Sequence, residues 1–344
     1  MKKTILIVFS FLSIIKLYSQ VNIGQSRSLH NTYMVSLKES QFDLVKNSTT
    51  YFIVPNQLDY QDVQKNIQQI WTLNEIIFVS QDEYEKNKYE YVSAGNSIIR
   101  IVKGDGVHGI ERTKTTNFGT PAQRTSTQII KLGLNFKFAM FYYQNVEKDK
   151  KDEIKIKSFR VAEIYFTPSI KYRINAFGAT KLLWKKRNAD FDMTKEPDSY
   201  NFNIGYIRNY FQALNKKLLK GENFKVRDGV KNKLKLKDLN NQTLFAPDWI
   251  LKQYSFITRD LKEIVTHEEL FKKYDYEYRV ISNIELNSKI LDGEDFYYFM
   301  YTQFNDYKIL SVIHSITGEI IYLTEDKSFN VKDSDLKNIS KLIK

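Results

Sequence analysis

Along this chain the period of the apolar positions switches repeatedly between two residues and three to four. NSTTYFIVP at 47–55 is a β-branched and aromatic run closed by Pro, and Val63, Ile67, Ile70 and Trp71 follow at the spacing of one helical face. EIIFVSQDEYE at 75–85 reads as a strand ending in Ser80, with Glu83 three residues on. That spacing is a capping box, in which the Ser hydroxyl takes a free amide of the first turn and the Glu reaches back to the cap amide. The same grammar returns later. NQTLFAP at 241–247 is a strand closed by Pro, WILKQYSF and THEELFKKY read as helical, and EYRVISNIELN at 277–287 runs into Ser282 and Glu285. FKFAMFYYQN at 136–145 leads to RVAEIYF, and FYYFMYTQFN at 296–305 leads to TGEIIYL, each a hairpin closing on an acidic residue and an Ile-rich strand.

This recurring order predicts an internal duplication. The expected fold class is α/β (or α+β), made of two similar mixed-sheet units joined by a helical basic connector; one continuous α+β domain is the alternative. The expected boundaries are 21–167 for the first unit, 168–237 for the connector and 238–344 for the second unit with its C-terminal helix. Within the connector, Ile207, Tyr210, Phe211, Leu214 and Leu218 form one helical stripe, and Gly221 is a natural C-cap. GENFKVRDGVKNKLKLK at 221–237 reads as a solvated link. Leu336, Ile339, Leu342 and Ile343 predict a terminal docking helix.

The first twenty residues add a compartment. MKK is a basic start, and TILIVFSFLSII is an apolar run of the length that a signal-peptide core carries, about 7–15 residues. It is shorter than the roughly 20 residues that cross a bilayer. Residues 1–20 are therefore expected to be a signal peptide cut near Ser19 or Gln20, leaving an exported, periplasmic or secreted protein with no transmembrane segment. The chain has no cysteine among its 344 residues, so disulfides, a thiol nucleophile and Cys-ligated metal are excluded. Stability must come from the core.

The formal charge is +12, and +9 once Lys2, Lys3 and Lys16 leave. Only 11 of the 52 basic residues are Arg, which speaks against a nucleic-acid reader, since bidentate phosphate contacts favour Arg. Lys, Asn, Ile, Tyr and Phe are abundant together. In that composition the chain resembles uncharacterised exported proteins of AT-rich Gram-negative bacteria, a resemblance that carries no motif and implies no activity.

Four stretches suggest chemistry. GDGVHG at 104–109 matches GxGxxG after a strand, but a dinucleotide loop needs a helix to start there so that its free amides hold the pyrophosphate. The Thr-rich IERTKTTNFGTPAQRTSTQ follows instead, so a Gly-hinged irregular loop is expected over 104–128, with Asp105, His108 and Glu111 as possible ligand contacts. HEELF at 267–271 has Phe271 where a zinc helix needs its second His, and Thr266 with Glu269 makes a capping box. NADFDMTKEPD at 188–198 alternates acidic residues like a calcium loop, but Met193 and Ser199 stand where Gly and a bidentate Glu are required. No cofactor or metal is expected. Residues 216–237 carry nine basic side chains against Glu222 and Asp228, so Lys231, Lys233, Lys235 and Lys237 are possible polyanion contacts, though Lys-rich surface is ordinarily there for solubility.

The expected function is that of an exported, soluble, non-catalytic binding or interaction protein of the bacterial envelope. Its expected partners are an envelope glycan, an anionic lipid headgroup or another envelope protein, and not nucleic acid. The alternative is a hydrolase of unfamiliar type acting on glycan or peptide, with carboxylates assembled only in the fold. A pocket holding two inward carboxylates favours the enzyme, and a shallow basic face favours the binder.

Overall fold

In the computed structural model the described residues are 21–26, 34–114, 126–148, 154–173, 198–255, 260–304 and 307–344; for 25–26, 34, 103–114, 126–135, 147–148 and 154 the backbone alone is described. The expected signal peptide and nearly all of the acidic run at 188–198 lie outside them. The first unit runs β1 (Val21–Ile23), β2 (Gln25–Ser26), β3 (Met34–Val35), α1 (Glu39–Lys46), β4 (Thr49–Val54), α2 (Tyr60–Gln68), β5 (Ile76–Ser80), α3 (Gln81–Lys86), α4 (Lys88–Tyr91), β6 (Asn96–Lys114), β7 (Ser126–Lys148), β8 (Ile154–Phe166) and α5 (Ile204–Lys220). The second runs β9 (Val230–Lys231), α6 (Lys233–Leu236), β10 (Leu244–Pro247), β11 (Lys252–Ser255), β12 (Asp260–Ile264), α7 (His267–Phe271), β13 (Tyr278–Ile281), α8 (Asn283–Leu291), β14 (Tyr297–Phe304), β15 (Tyr307–His314), β16 (Ile320–Asp326) and α9 (Asp333–Ile343).

Two six-stranded mixed sheets result, ordered β5-β4-β6-β7-β8-β1 and β13-β10-β14-β15-β16-β9. Position for position the order is the same, and so are the directions. The β4–β5, β4–β6, β10–β13 and β10–β14 pairs are parallel, and the remaining pairs are antiparallel. Register sharpens the match. With Ser80 set against Ser282, stepping across the sheets places Met140 opposite Val312 and Phe141 opposite Ile313. The ladder to the next strand slips in both sheets at that same step, between Met140 and Phe141 and between Val312 and Ile313. A bulge is an extra residue in one strand, so its recurrence at one address supports a duplicated unit.

The helices form layers with the sheets. Val63 and Ile67 of α2 and Phe42 and Val45 of α1 are buried, as is the predicted stripe of α5. Phe211 packs on Phe52 and Trp71 with ring centroids 5.0 and 5.9 Å apart, tying α5 to the inner face of the first sheet. The opposite side of α5 meets the second sheet: Tyr206 packs on Tyr298, whose hydroxyl donates to Asn209 Oδ1 at 2.9 Å. Gly205 lets α5 and α8 approach closely, because a Cβ there would lie 2.9 Å from Asn287 Oδ1. The layers therefore run α3/α4, first sheet, α1/α2/α5 with α8, second sheet, and α6/α7/α9. Buried residues from both units form one core cluster.

Several sequence expectations are corrected. The helix at 204–220 does separate the two sheets, but by element order and packing it is the terminal helix of the first unit, equivalent to α9; both pack on the first two helices of their own unit. The stretch after it is no solvated link. Phe224, Val226, Val230 and Leu236 are buried, and β9 pairs with β16. Four apolar side chains spaced through a Lys-rich run outweigh the average polarity that suggested a linker. WILKQYSF is a 3-10 turn followed by β11, which pairs with β12 in place of a helix. FYYFMYTQF is the counterpart of β6, not of FKFAMFYYQ in β7, and by register Glu163 is matched by Leu323 rather than by Glu319. Finally, 104–114 and 126–128 are strand rather than loop. Thr and Ile, stiff at χ1 and suited to a pleated ribbon, override the glycines.

Candidate functional site

The sites expected from sequence fare differently. Asp105, His108 and Glu111 stand in β6 with backbone partners Leu134, Lys131 and Ile129 of β7, so GDGVHG lies inside an antiparallel ribbon and no helix begins at it. Lys231, Lys233 and Lys237 are exposed, while Lys235 is half-buried and donates to Glu319 at 2.5 Å. HEELF is capped by Thr266, whose Oγ1 accepts from Glu269 N at 3.2 Å, and its Phe271 is buried against Tyr278. Ser80 and Ser282 cap α3 and α8, accepting from Glu83 N and Glu285 N at 3.2 and 3.1 Å. The Glu83 carboxylate turns instead to Asn87 Nδ2 and Tyr91 OH, which hold it below the usual carboxylate range. Among the described residues no group of three or more His, Cys, Asp or Glu is placed to hold a metal, and no helix is long and apolar enough to cross a membrane.

A cluster that sequence reading did not single out stands on the outer face of the first sheet. Strand alternation sends Ile98 and Arg100 of β6, Lys137, Ala139 and Phe141 of β7, Arg160, Glu163 and Tyr165 of β8 and Asn22 of β1 to this side. At one end the network is closed. Glu163 Oε1 accepts from Lys137 Nζ at 2.8 Å and from Arg160 Nη1, and Oε2 accepts from Tyr165 OH at 2.6 Å. Asn22 Nδ2 donates to Tyr165 OH at 2.7 Å, while Asn22 Oδ1 accepts from Val226 N at 2.7 Å. Phe304 from the second sheet lies over Tyr165 and beside the Lys137 ammonium. Burial lowers the Lys137 pKa against the opposing pull of Glu163, and burial raises that of Tyr165 well above its ordinary value. Both Glu163 oxygens are thus held by cations and a phenol, which offsets the cost of burying the charges.

Farther along the same face the surface opens. Phe141 is half-buried between two guanidiniums, with Arg100 at 5.3 Å and Arg160 at 5.4 Å from its ring centroid. The Nε of each Arg is buried without a hydrogen-bond partner, and so is the hydroxyl of Tyr84, whose pKa burial raises against the pull of Arg100. Ile156, on the same strand as Arg160, is 43% exposed, and Ser158 is exposed as well. Among the described residues, Lys137 and Arg160 share the Glu163 carboxylate, and Arg100 lies beside Phe141 and the Tyr143 hydroxyl.

The described cavities hold no comparable arrangement. A groove of about 220 Å³ is lined by residues including Glu269, Lys272 and Asp333. Asp333 is held below the usual carboxylate range by a hydrogen bond from Lys273, which makes it an anion rather than a general acid. No protein-family model, curated protein or solved structure matches the chain.

Proposed function

We propose that this protein is an exported, soluble, non-catalytic interaction protein of the bacterial envelope whose partner covers the outer face of the first sheet. One observation carries the reading. At the β7–β8 end of that face Ile156 is 43% exposed, beyond a half-buried Phe141 ring that lies beside the Arg100 and Arg160 guanidiniums. Charged and aromatic side chains half-buried on a rigid sheet suit binding, because the geometry is set before a partner arrives. The signal-like start of the chain supports export.

The test is photo-crosslinking in intact cells with fractionation. A photoreactive residue at Ile156, 43% exposed, should give a discrete adduct, and one at Ile284, 78% exposed on α8, should not. Arg100→Gln should remove the adduct, and the protein should begin near Gln20 or Val21. A cytosolic product that retains Met1, or equal adducts from both positions, overturns the proposal.

A further inference from the structure

We propose that the outermost helical layer, α6, α7 and α9, is a second interaction surface, and that it docks on a bilayer with anionic headgroups. The duplication shows why this layer is uncovered. Its equivalent in the first unit, α1, α2 and α5, lies between the two sheets, and α5 presents Tyr206 and Asn209 to the second of them. Among the described residues no further sheet follows α9. Leu336, Ile339 and Ile343 of α9 are buried toward its own sheet, and α6 and α7 flank it. What the layer turns outward meets solvent.

Charge supplies the chemistry. Part of the layer is already neutralised: Lys235 pairs with Glu319, Lys272 and Lys273 with Asp333, and Lys344 with Asp275. Asp238 accepts from Tyr297 OH at 2.8 Å, and Asp335 accepts from the buried Lys308 Nζ at 2.5 Å. Lys231, Lys233, Lys237, Lys332, Lys337 and Lys341 are all exposed and have no carboxylate partner among the described residues. Against them the layer exposes Glu268 and Glu269. The cations are lysines, hydrated point charges on flexible stems, which suit a fluid array of phosphates better than a fixed bidentate acceptor. Leu234 decides between a bilayer and a soluble polyanion. It is 76% exposed and stands between Lys233 and Lys235 on α6. An apolar side chain among lysines gains by entering the boundary between headgroups and acyl chains, and gains nothing from a hydrated glycan.

The experiment is co-sedimentation of the protein purified from cells, with three probes: vesicles containing phosphatidylglycerol, vesicles of phosphatidylcholine alone, and soluble heparin. The phosphatidylglycerol vesicles should bind, and binding should fall steeply with salt. Each lysine near an anionic surface is worth about fivefold. The triple variant Lys231→Gln, Lys233→Gln, Lys237→Gln should therefore weaken binding about a hundredfold, and the pair Lys337→Gln, Lys341→Gln about thirtyfold. Leu234→Ser should weaken it about tenfold without changing any binding to heparin. The pair Lys86→Gln, Lys88→Gln, exposed on α3 and α4 at the far end of the stack, should leave it unchanged. Unfolding midpoints confirm that each variant is folded. Equal binding to phosphatidylcholine, equal losses from the α3/α4 pair, indifference to Leu234→Ser, or binding to heparin without binding to vesicles overturns the inference. The surface is separate from the first sheet, so the Ile156 crosslink stands or falls independently of it.

Discussion

The outer faces of the two sheets differ at addresses that the duplication makes equivalent. Lys137 stands where Ile309 stands, Arg160 where Ile320 stands, Glu163 where Leu323 stands, and Asn22 where Val230 stands. All four residues of the second unit are apolar and buried beneath a packed layer. Those of the first unit are ionic or polar and buried as a network. The same backbone therefore tolerates either solution, and the choice follows what covers it. A face closed by a helix of its own chain can be apolar. The first unit buries an ion cluster at the same addresses, and mutual neutralisation lets it do so at a desolvation cost.

Exchanging residues between the units tests this directly. The largest effect should come from Leu323→Glu, which places a lone carboxyl in a dry layer. A fully buried carboxyl is raised by about 3–5 pKa units, so at pH 7 it stays largely neutral and the ionisation penalty is about 4 kcal/mol, on top of the lost Leu packing. Urea unfolding should show that loss shrinking as pH falls from the raised pKa toward the ordinary Glu value, because the unfolded chain then takes up the proton as well. A small, pH-independent loss would mean that the layer under α5 is wet.

Glu163→Leu alone should cost about 3–5 kcal/mol, since it strands Lys137 and Arg160. The triple change Lys137→Ile, Arg160→Ile, Glu163→Leu installs the residues of the second unit and should come within about 1 kcal/mol of the parent or exceed it. If the triple variant is worse than the single one, the two faces are not interchangeable and the comparison fails.

Glycine turns give the next step down. Gly318, at φ +62, would place a Cβ 2.3 Å from Asn209 O, so the β15–β16 turn seats directly on α5. Gly318→Ala should cost about 3 kcal/mol, summing left-handed strain and overpacking. Gly95, at φ +87 in the first unit, has nothing within 4 Å of such a Cβ, and Gly95→Ala should cost only about 1–2 kcal/mol. Equal losses would show that the turn does not bear on α5.

Lys217 sits near the same turn, 3% exposed, 3.7 Å from Glu222 and over the Phe224 ring, and burial brings its pKa down to about 8. The folded state therefore holds this proton less tightly than the unfolded chain. Its destabilising contribution is fully present below pH 8 and fades as pH rises from 8 toward the unfolded value near 10.5. Lys217→Met should be about 2 kcal/mol more stable than the parent at pH 7, with the gap narrowing by pH 10. A constant gap would place the shift elsewhere. The smallest effects belong to the caps: Ser80→Ala and Ser282→Ala should each cost about 1 kcal/mol, and markedly unequal values would weaken their equivalence.

Local sequence patterns were enough for much of this. The stripe from Ile207 to Leu218 with Gly221 behind it, the terminal helix through Leu336 and Ile339, and both Ser caps are short-range features set by helical period and free amides. The duplicated order of strands and helices was legible for the same reason. Which strand matched which was not, because FKFAMFYYQ and FYYFMYTQF look alike while their pairing depends on residues far away. Nor could local polarity show that the Lys-rich stretch after Gly221 inserts Phe224, Val226 and Val230 into the two units.

The candidate face was the least legible part. Lys137 and Glu163 each interrupt an apolar strand, a visible signal, but they lie 26 residues apart and meet only because the ladder sets Ala139 opposite Glu163 with Lys137 two residues along. Arg100 and Arg160 come to one ring through three adjacent strands. By itself the sequence determined the elements, their caps and the repeated unit, since propensity and periodicity act within a few residues. Tertiary structure alone decided which charges share a face and which helices cover each face, because strand register and the seat of α5 are settled by packing between residues distant along the chain.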